Sequence, residues 1–402
     1  MFQTPVIVSG VRTATGKFGG ALKDIEAPAL GALCAKEALK RANITGDMVD
    51  EVIIGTHFQA GIKANSARQV SLGAGIPVEV PAWTVNKNCG TGLKAIQSAA
   101  EHIMLGEADI MVAGGCESMS RIPYVLKDYR FGGRMGSGQV LDSMLYDGLV
   151  DPFMNYHMGI TAENVAEKCG ITREMQDEFA LLSHKRAQEA AEAGKFDEEI
   201  IPVEVKTKKG TVIFDKDETI RYNAKIEDFR KLKPAFRPDG GTVTAGNASG
   251  CNDEAAIVVM MSERKAKELG LEIKAALRGF AYAGIHPSIM GYAPVYAVQK
   301  LLKKVNMTVD DIDLFEINEA FAAQAFACVR DLGLSMDKVN VNGGAIALGH
   351  PVGATGARLT INMMNELRRR NCRYGVVTLC IGGGQAIAAL VENVAGGAKE
   401  WT

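Results

Sequence analysis

The 402-residue sequence has no surplus of either charge and no long apolar run. It contains 45 Lys and Arg residues and 47 Asp and Glu residues, which gives a formal net charge of −2. Because a protein that binds nucleic acid usually carries a concentrated basic surplus, no nucleic-acid partner is expected. No apolar stretch approaches the ~20 residues that cross a bilayer, so no membrane association is expected either.

Cysteine is sparse, and its spacing excludes two further classes of protein. The eight cysteines include no C-x-x-C pair, so neither a disulfide scaffold nor a zinc site is expected. The N-terminus runs into the strand-like Pro5–Val8 without a secretory or transit pattern. The C-terminal residues Lys399 to Thr402 form neither a retention nor a peroxisomal signal. We expect a reduced, cytoplasmic setting and no metal, in which a special cysteine is catalytic rather than structural.

Glycine is abundant, at 44 of 402 residues or about 11%, above the usual roughly 7%. Between the glycine clusters, runs of β-branched residues alternate with helical patterns. The pattern predicts strands at Val6–Val8, Glu51–Ile54 and Ile110–Ala113, and helices at 28–42, 91–105, 173–193 and 262–269. This alternation predicts α/β layering with buried, mostly parallel strands.

The chain contains an internal repeat. Leu39–Asp50 aligns with Leu302–Asp313 at six of twelve positions, and in both copies a helix precedes the segment and a strand follows it. The second strand is predicted at Leu314–Ile317. The offset of 263 residues is too long for a solenoid and indicates two similar α/β halves. Residues from about 120 to 250 differ in character and are interpreted as an insertion into the first half, which the strand Ala255–Met261 should rejoin.

Four glycine-rich or junction segments carry residues suited to catalysis. Cys89 follows a strand and a tight turn at the start of a helix, where the helix dipole is expected to lower its pKa. His350 lies on a turn between Gly349 and Pro351 and could deprotonate a thiol. Structural roles stay open for both, because a buried cysteine or a core histidine fits either segment alone.

The other two segments are a strand end and a strand-to-helix junction. Cys380 runs into Gly382–Gly384, whose bare N–H groups could stabilise an oxyanion. Asn318 could orient a water or a carbonyl, although Asn also suits a helix N-cap.

Taken together, the motifs resemble those of the thiolases, specifically the short-chain acetyl-CoA acetyltransferases, across essentially the whole chain. They occur in family order as Asn86-Lys-Asn-Cys89-Gly, His157-Met-Gly-Ile-Thr-Ala-Glu-Asn164, Gly246-Asn-Ala-Ser-Gly250, Asn318-Glu-Ala-Phe321, Gly343 to Arg358 and Cys380-Ile-Gly-Gly-Gly384. The resemblance implies an α/β thiolase fold of two βαβαβαββ halves in a five-layered arrangement with an inserted loop domain. It places the N-terminal half at 1–119 and 251–271, the loop domain with the CoA site at 120–250, and the C-terminal half at 272–402.

The resemblance also implies a role for each catalytic residue. Cys89 would be the nucleophile that takes an acetyl group, and His350 would activate it and then help bind the oxygen of the second thioester. Asn318 would hold a water in the same oxyanion hole. Cys380 would remove a proton from the second acetyl-CoA. The N–H groups of Cys89 and Gly382 would form the other oxyanion hole.

The same comparison implies a binding site for the substrates, acetyl-CoA and coenzyme A, with no further cofactor. Its residues would be His157, Met158, Arg221, Phe236, Ser249, Met290 and Phe321. The pair His157–Met158 is typical of short-chain members, so acetoacetyl-CoA is the preferred substrate. The alternative is a 3-ketoacyl-CoA thiolase of β-oxidation with a broader chain-length range. A homo-oligomer is implied, and Phe131–Gly138 resembles the loop that pairs dimers into tetramers.

Several positions depart from the family pattern. Thr91 replaces a common Ser or Ala, Glu254 replaces a usual Gly, and Gln385–Ala386 replaces Met-Gly or Gln-Gly. Asp228 would repel a CoA phosphate if its side chain pointed inward. Other condensing enzymes of the superfold, such as β-ketoacyl synthases, lack the Cys380 motif, and a non-catalytic relative would have lost Cys89, His350 or Cys380.

Overall fold

The computed structural model describes residues 2–394. The C-terminal segment 399–402, discussed above for its lack of an address signal, lies outside them. The strands are β1 (Pro5–Thr13), β2 (Gly16–Lys17), β3 (Glu51–Gly55), β4 (Ala82–Val85), β5 (Ile110–Ser118), β6 (Tyr124–Val125), β7 (Leu141–Asp142), β8 (Ile200–Ile201), β9 (Val203–Thr207), β10 (Gly210–Phe214), β11 (Asn252–Ser262), β12 (Ala275–Gly284), β13 (Leu314–Ile317), β14 (Tyr374–Ile381) and β15 (Gln385–Glu392).

The four helices predicted from the sequence are present, and their bounds agree with the prediction to within one residue at each end. The helices are α1 (Ala27–Arg41), α2 (Ser66–Gly73), α3 (Thr91–Leu105), α4 (Met158–Cys169), α5 (Arg173–Glu192), α6 (Ile226–Arg230), α7 (Glu263–Glu268), α8 (Ala293–Lys304), α9 (Ala322–Asp331), α10 (Ala345–Leu348) and α11 (Thr355–Arg369). Within residues 2–394, no helix combines the length and the apolar character needed to cross a membrane.

The main sheet has the same strand order in its two parts. It runs β13-β14-β15-β12-β1-β11-β5-β3-β4. Reading outward from the junction, β12-β15-β14-β13 on one side matches β1-β11-β5-β3 on the other. The junction is short, because β1 and β12 pair only through Val6 with Ala276 and Ile7 with Ala275. The predicted similarity of the two halves is therefore present in the sheet topology.

The prediction of mostly parallel strands was wrong. Strand β11 runs antiparallel to both β1 and β5, and β15 runs antiparallel to both β12 and β14. Parallel pairing occurs where a helix returns the chain, as between β3 and β5 and between β13 and β14. The alternation of strands and helices in the sequence correctly predicted those parallel pairs. It does not predict the direction of β11 and β15, which are not joined to their neighbours by such a helical crossover.

The buried side chains form layers on both faces of the sheet. One cluster packs α1 and α2 onto the first part of the sheet, through residues such as Leu30, Val70 and Ile257. A second packs α8 and α9 onto the other part, through Val298 and Cys328. A third cluster lies between the two parts and contains α3 and α11. The order helix, sheet, helix, sheet, helix gives five layers.

The repeated segment has the same local geometry in both copies. Asn43 and Asn306 each end a helix with a positive φ of 52°, a conformation that Asn tolerates better than most residues. Asp50 accepts hydrogen bonds from the N–H groups of Asp109 and Ile110 at 2.7 and 2.8 Å. Asp313 accepts them from Arg373 and Tyr374 at 2.8 and 2.9 Å. Each carboxylate thus holds the start of the neighbouring strand.

Residues 120–250 supply the small sheets β6–β7 and β9–β10 and the helices α4, α5 and α6. The strand predicted at Ala255–Met261 belongs to β11, which lies between β1 and β5 and so returns the chain to the first part of the sheet. The domain boundaries drawn from the sequence remain predictions.

Candidate active site

The central helices α3 and α11 cross with their backbones in direct contact. This crossing sets the positions of Cys89 and His350, which precede the two helices. A Cβ on Gly92 would stand 2.9 Å from the backbone N of Ala357, and one on Gly356 would stand 2.4 Å from the backbone N of Leu93. Only glycine fits at these two positions without a shift of either helix. Gly92, although it follows Cys89 closely in the chain, therefore serves the helix crossing.

Cys89 and His350 open onto one cavity of about 680 Å³. Gly382 and the seven residues predicted for the CoA site also line it: His157, Met158, Arg221, Phe236, Ser249, Met290 and Phe321. Asn318 and Cys380 lie behind this lining and are fully buried. Residues more than 290 positions apart in the chain therefore meet at one concave site of ordinary ligand-binding size.

Cys89 is a neutral thiol in this environment. Burial raises its pKa to about 11, although the backbone N–H groups of Gly382 and of Cys89 itself donate toward the sulfur and oppose the rise. The expectation of a lowered pKa was wrong because desolvation outweighs the helix N-terminus when no cation is adjacent. The same two N–H groups are placed to stabilise negative charge beside the sulfur.

His350 is held as one tautomer. Its Nδ1 lies 2.7 Å from Thr355 Oγ1, and the Thr355 hydroxyl donates its hydrogen to Pro351 O at 2.8 Å. Since that hydroxyl proton is already used, Nδ1–H must be the donor to Oγ1, and Nε2 is left with a free lone pair. Burial, and to a smaller extent the positive charge of Arg358, lowers the pKa of His350 to about 3. The ring is therefore neutral, and Nε2 can accept a proton.

Asn318 lies against that nitrogen. Its Nδ2 is 3.5 Å from His350 Nε2, and its Oδ1 is buried without a protein partner. It is not a helix N-cap, since α9 begins at Ala322 after Phe321. An amide with an unused oxygen beside a neutral imidazole can bind a water or a carbonyl group.

Cys380 ends β14 and packs among apolar side chains that include Met158, Met290 and Phe321. Burial raises its pKa well above that of an ordinary thiol, and negative charge on Cys89 raises it further. The two sulfurs thus lie close enough to influence each other, and only one can carry charge readily.

The cavity wall is built from stacked rings. His157 stacks on Phe236 with centroids 4.5 Å apart, and Phe236 meets Phe321 edge to face at 6.2 Å. His157 is also the N-cap of α4, since its Nδ1 accepts from the N–H of Gly159 at 3.0 Å. Arg221 is fixed by a bond from its backbone N–H to His184 Nδ1 at 3.1 Å. The wall is mostly apolar, and the inserted segment contributes the cation Arg221 to it.

Three of the residues that depart from the family pattern lie outside the cavity lining. The Asp228 carboxylate accepts from Lys231 Nζ at 2.8 Å and from the N–H of Lys225 at 3.1 Å, and it does not line the cavity. Its charge is therefore locally neutralised. Glu254 is buried in an ion pair with Arg358 at 2.8 Å. Gln385 is exposed and accepts from Lys87.

Sequence reasoning missed several residues of the site. Asn252 Oδ1 accepts a hydrogen bond from the backbone N–H of His350 at 2.9 Å, and Thr355 fixes the His350 ring. Both adjoin motifs already noted, so proximity to Gly250 and His350 could have indicated them. His57, Met119 and Cys251 also line the cavity, and none of them was predicted to do so.

Comparison with known proteins places the chain among enzymes with this architecture. The family model "Thiolase, N-terminal domain" matches residues 5–264, and "Thiolase, C-terminal domain" matches residues 271–393. An acetyl-CoA acetyltransferase from Cupriavidus necator is 53% identical over 96% of this chain and 99% of its own length. A probable acetyl-CoA acyltransferase from Staphylococcus aureus is 52% identical over 96% of this chain and 98% of its own.

A solved structure agrees over the same range. The crystal structure of the Bacillus anthracis acetyl-CoA acetyltransferase superposes with a TM-score of 0.95 at 46% identity, covering 98% of this chain and 99% of that one. This similarity confirms the predicted five-layered fold.

Proposed function

The chain belongs to the thiolase family, and from this premise we propose that it is an acetyl-CoA C-acetyltransferase. It would condense two molecules of acetyl-CoA to acetoacetyl-CoA and CoA and catalyse the reverse thiolysis. The observation that carries the proposal is that Cys89 and His350 line one cavity, with Asn318 and Cys380 buried behind its lining and two N–H groups directed at the Cys89 sulfur. The full-length similarity to an acetyl-CoA acetyltransferase supports it.

Acylation begins with a neutral thiol and a neutral imidazole. His350 Nε2 takes the Cys89 proton as the sulfur attacks the thioester carbonyl of acetyl-CoA, so no free thiolate is needed beforehand. The developing oxyanion is stabilised by the N–H groups of Cys89 and Gly382. The carbon–sulfur bond to CoA breaks, the CoA sulfur takes the proton of the Cys380 thiol, and CoA leaves an acetyl-Cys89 enzyme in which His350 Nε2 is protonated and Cys380 is a thiolate.

The second half forms the carbon–carbon bond. The thioester oxygen of a second acetyl-CoA accepts hydrogen bonds from the protonated His350 Nε2 and from a water held by Asn318. The Cys380 thiolate removes a proton from its α-carbon, and the enolate attacks the acetyl group on Cys89. The carbon–sulfur bond to Cys89 breaks, acetoacetyl-CoA forms, and the Cys89 sulfur takes back the proton held by His350 Nε2. Coenzyme A and its esters are substrates, and the proposed reaction includes no further cofactor.

The seven predicted CoA-site residues suit a small acyl group. Phe236, Phe321 and Met290 narrow the apolar wall, while Arg221 supplies positive charge from the inserted segment. A longer-chain 3-ketoacyl-CoA thiolase is the second candidate. Only the volume of the cavity favours this candidate, because it is larger than the volume of an acetyl group.

The assay follows thiolysis of acetoacetyl-CoA by CoA through loss of the magnesium-enolate absorbance. The specificity constant, kcat/KM, should be highest for acetoacetyl-CoA and should fall for 3-ketohexanoyl- and 3-ketooctanoyl-CoA. A maximum at a longer chain would favour the second candidate. No turnover with any of these substrates would refute a thiolase function.

The family resemblance also supports two proposals about the whole protein. It would act in the cytoplasm in fatty acid metabolism, and it would form a homo-oligomer, with a tetramer favoured over a dimer. Phe131 and Met135 support the tetramer, because they are 93% and 99% exposed within the segment that resembles a dimer-pairing loop.

A further inference from the structure

Asn88 is a polar residue beside the nucleophile to which the proposed mechanism gives no role. It directly precedes Cys89, and both residues line the catalytic cavity together with Gly382. The mechanism uses the backbone N–H groups of Cys89 and Gly382 as the oxyanion hole for the acyl group. Cys89 belongs to the first half of the fold and Gly382 to the second, so a contact between the halves must hold these two donors together.

The side chain of Asn88 makes such a contact. Its Nδ2 donates a hydrogen bond to the backbone carbonyl of Gly382 at 3.2 Å, across 294 positions of the sequence. Because a carbonyl oxygen only accepts, the amide nitrogen of Asn88 and not its oxygen must face Gly382. Since Asn88 is joined covalently to Cys89, this hydrogen bond ties the two donor residues to each other at short range.

The backbone around Gly382 is a glycine turn that requires support from outside. Gly382, Gly383 and Gly384 connect β14 to β15, and the last two have positive φ angles of 84° and 82°. Three successive glycines can adopt many backbone conformations, because no Cβ restricts them. The N–H of Ile285 holds the far end of the turn by donating to the Gly384 carbonyl at 2.6 Å. Asn88 holds the near end, at the residue that supplies the oxyanion-hole N–H.

The turn before Cys89 does not itself require the amide of Asn88. Asn88 has a left-handed backbone with a φ of 46°, a conformation that Asn tolerates and that glycine adopts freely. The turn has hydrogen bonds of its own, from Asn88 N–H to Asn86 Oδ1 at 3.0 Å, from Lys87 N–H to Thr91 Oγ1 at 2.7 Å and from Thr91 N–H to the Asn88 carbonyl at 3.0 Å. The Asn88 amide takes no part in them. A glycine at this position should therefore keep the turn and lose the bond to Gly382.

We propose that Asn88 is a positioning residue of the oxyanion hole, whose amide ties Gly382 to the residue before Cys89 and so holds the two N–H donors in place. This inference rests on the proposed function. Negative charge develops on the thioester oxygen as the Cys89 sulfur bonds to the carbonyl carbon, and it is lost when the bond to the leaving sulfur breaks. Donors that are already in position stabilise this charge without rearrangement. Asn88 should therefore accelerate the steps that form this oxyanion and no others.

The test compares two reactions of Cys89 in the variant Asn88→Gly. Acetylation by acetyl-CoA forms an oxyanion, whereas alkylation by iodoacetamide displaces iodide from a saturated carbon and forms none. Acetylation should slow about tenfold to a hundredfold, because one donor is misplaced rather than removed. Alkylation should keep the rate of the unmodified protein, since the thiol and His350 are unchanged. Mass spectrometry of the Cys89 peptide after rapid quenching measures both rates.

Two further variants complete the test. Asn88→Asp keeps the size of the side chain but has no N–H to donate, so its acetylation should fall at least as far, which gives a second measurement if Asn88→Gly fails to fold. Asn371→Gly is the matched control, since Asn371 is an exposed residue with a φ of 52° just after α11, and both rates should stay unchanged.

Two results would overturn the proposal. One is acetylation at the unmodified rate in either folded variant of Asn88. The other is an equal fall of acetylation and alkylation in Asn88→Gly, because Asn88 would then only maintain the environment of the thiol. Failure of the proposed function is seen separately, as absence of acetoacetyl-CoA thiolysis by the unmodified protein.

Discussion

The reactive side chains of this site are uncharged in the free protein. Cys89 has a pKa raised to about 11 by burial, while burial lowers that of His350 to about 3. A thiolate–imidazolium pair is therefore disfavoured in the free protein, and in the proposed reaction the proton moves as the sulfur bonds to carbon. Burial thus explains how two thiols can occupy one site without both being charged.

The division of labour between the two thiols gives a prediction at this scale. Cys380→Ala should leave acetylation of Cys89 by acetyl-CoA measurable but lower condensation about a hundredfold or more, the usual contribution of a general base. Mass spectrometry of the Cys89 peptide measures the first step, and acetoacetyl-CoA formation measures the second. Cys89→Ala is the matched control and should abolish both. Equal loss of both steps in Cys380→Ala would refute the assigned roles.

At the scale of elements, the two halves have the same arrangement of residues between the end of a helix and the following strand. A left-handed Asn ends the helix, and an Asp seven residues later accepts two backbone N–H groups at the start of the next strand. The pairs are Asn43 with Asp50 and Asn306 with Asp313. Because each carboxylate satisfies two donors, both residues should contribute to stability rather than to chemistry.

This equivalence can be measured. Asp50→Ala and Asp313→Ala should each lower the free energy of unfolding by about 1–3 kcal/mol, because each leaves two amide donors without a charged acceptor. Urea denaturation monitored by circular dichroism would report the loss. Asp310→Ala is the control, since Asp310 is an exposed neighbour and makes no side-chain hydrogen bond in the described structure. A loss for Asp310→Ala as large as for Asp313→Ala would contradict this role.

At the scale of the whole molecule, the exposed apolar side chains gather in the inserted segment. Tyr124, Phe131, Met135, Val140 and Phe153 all expose more than 60% of their surface. Such a concentration marks an interaction surface in a protein of balanced charge. It is consistent with the proposed contact between copies of the chain.

The proposed tetramer gives a prediction at this scale. The double variant Phe131→Ser and Met135→Ser removes the two most exposed apolar side chains of the segment that resembles a dimer-pairing loop. It should convert the tetramer to a dimer, and size-exclusion chromatography with light scattering would give the mass. The exposed Val212→Ser, on β10, is the matched control and should leave the mass unchanged. A double variant that keeps the mass of the unmodified protein would contradict the role of this loop.

The sequence by itself determined the features that depend on local order. The helix bounds, the repeat of Leu39–Asp50 and the turns at Cys89 and His350 follow from spacing and residue type, which act over a few residues. The family resemblance extended these patterns to assigned roles. The structure brings Cys89, His350 and Gly382 to one cavity.

Only the tertiary structure decided what depends on contacts between distant segments. The antiparallel entry of β11 and β15, the use of Gly92 for a helix crossing, and the outward pairing of Asp228 with Lys231 were not visible in sequence. The pKa of Cys89 was mispredicted for the same reason, because burial by the rest of the chain outweighs a helix terminus. Desolvation and hydrogen-bond satisfaction are properties of the assembled environment, and a linear sequence does not contain them.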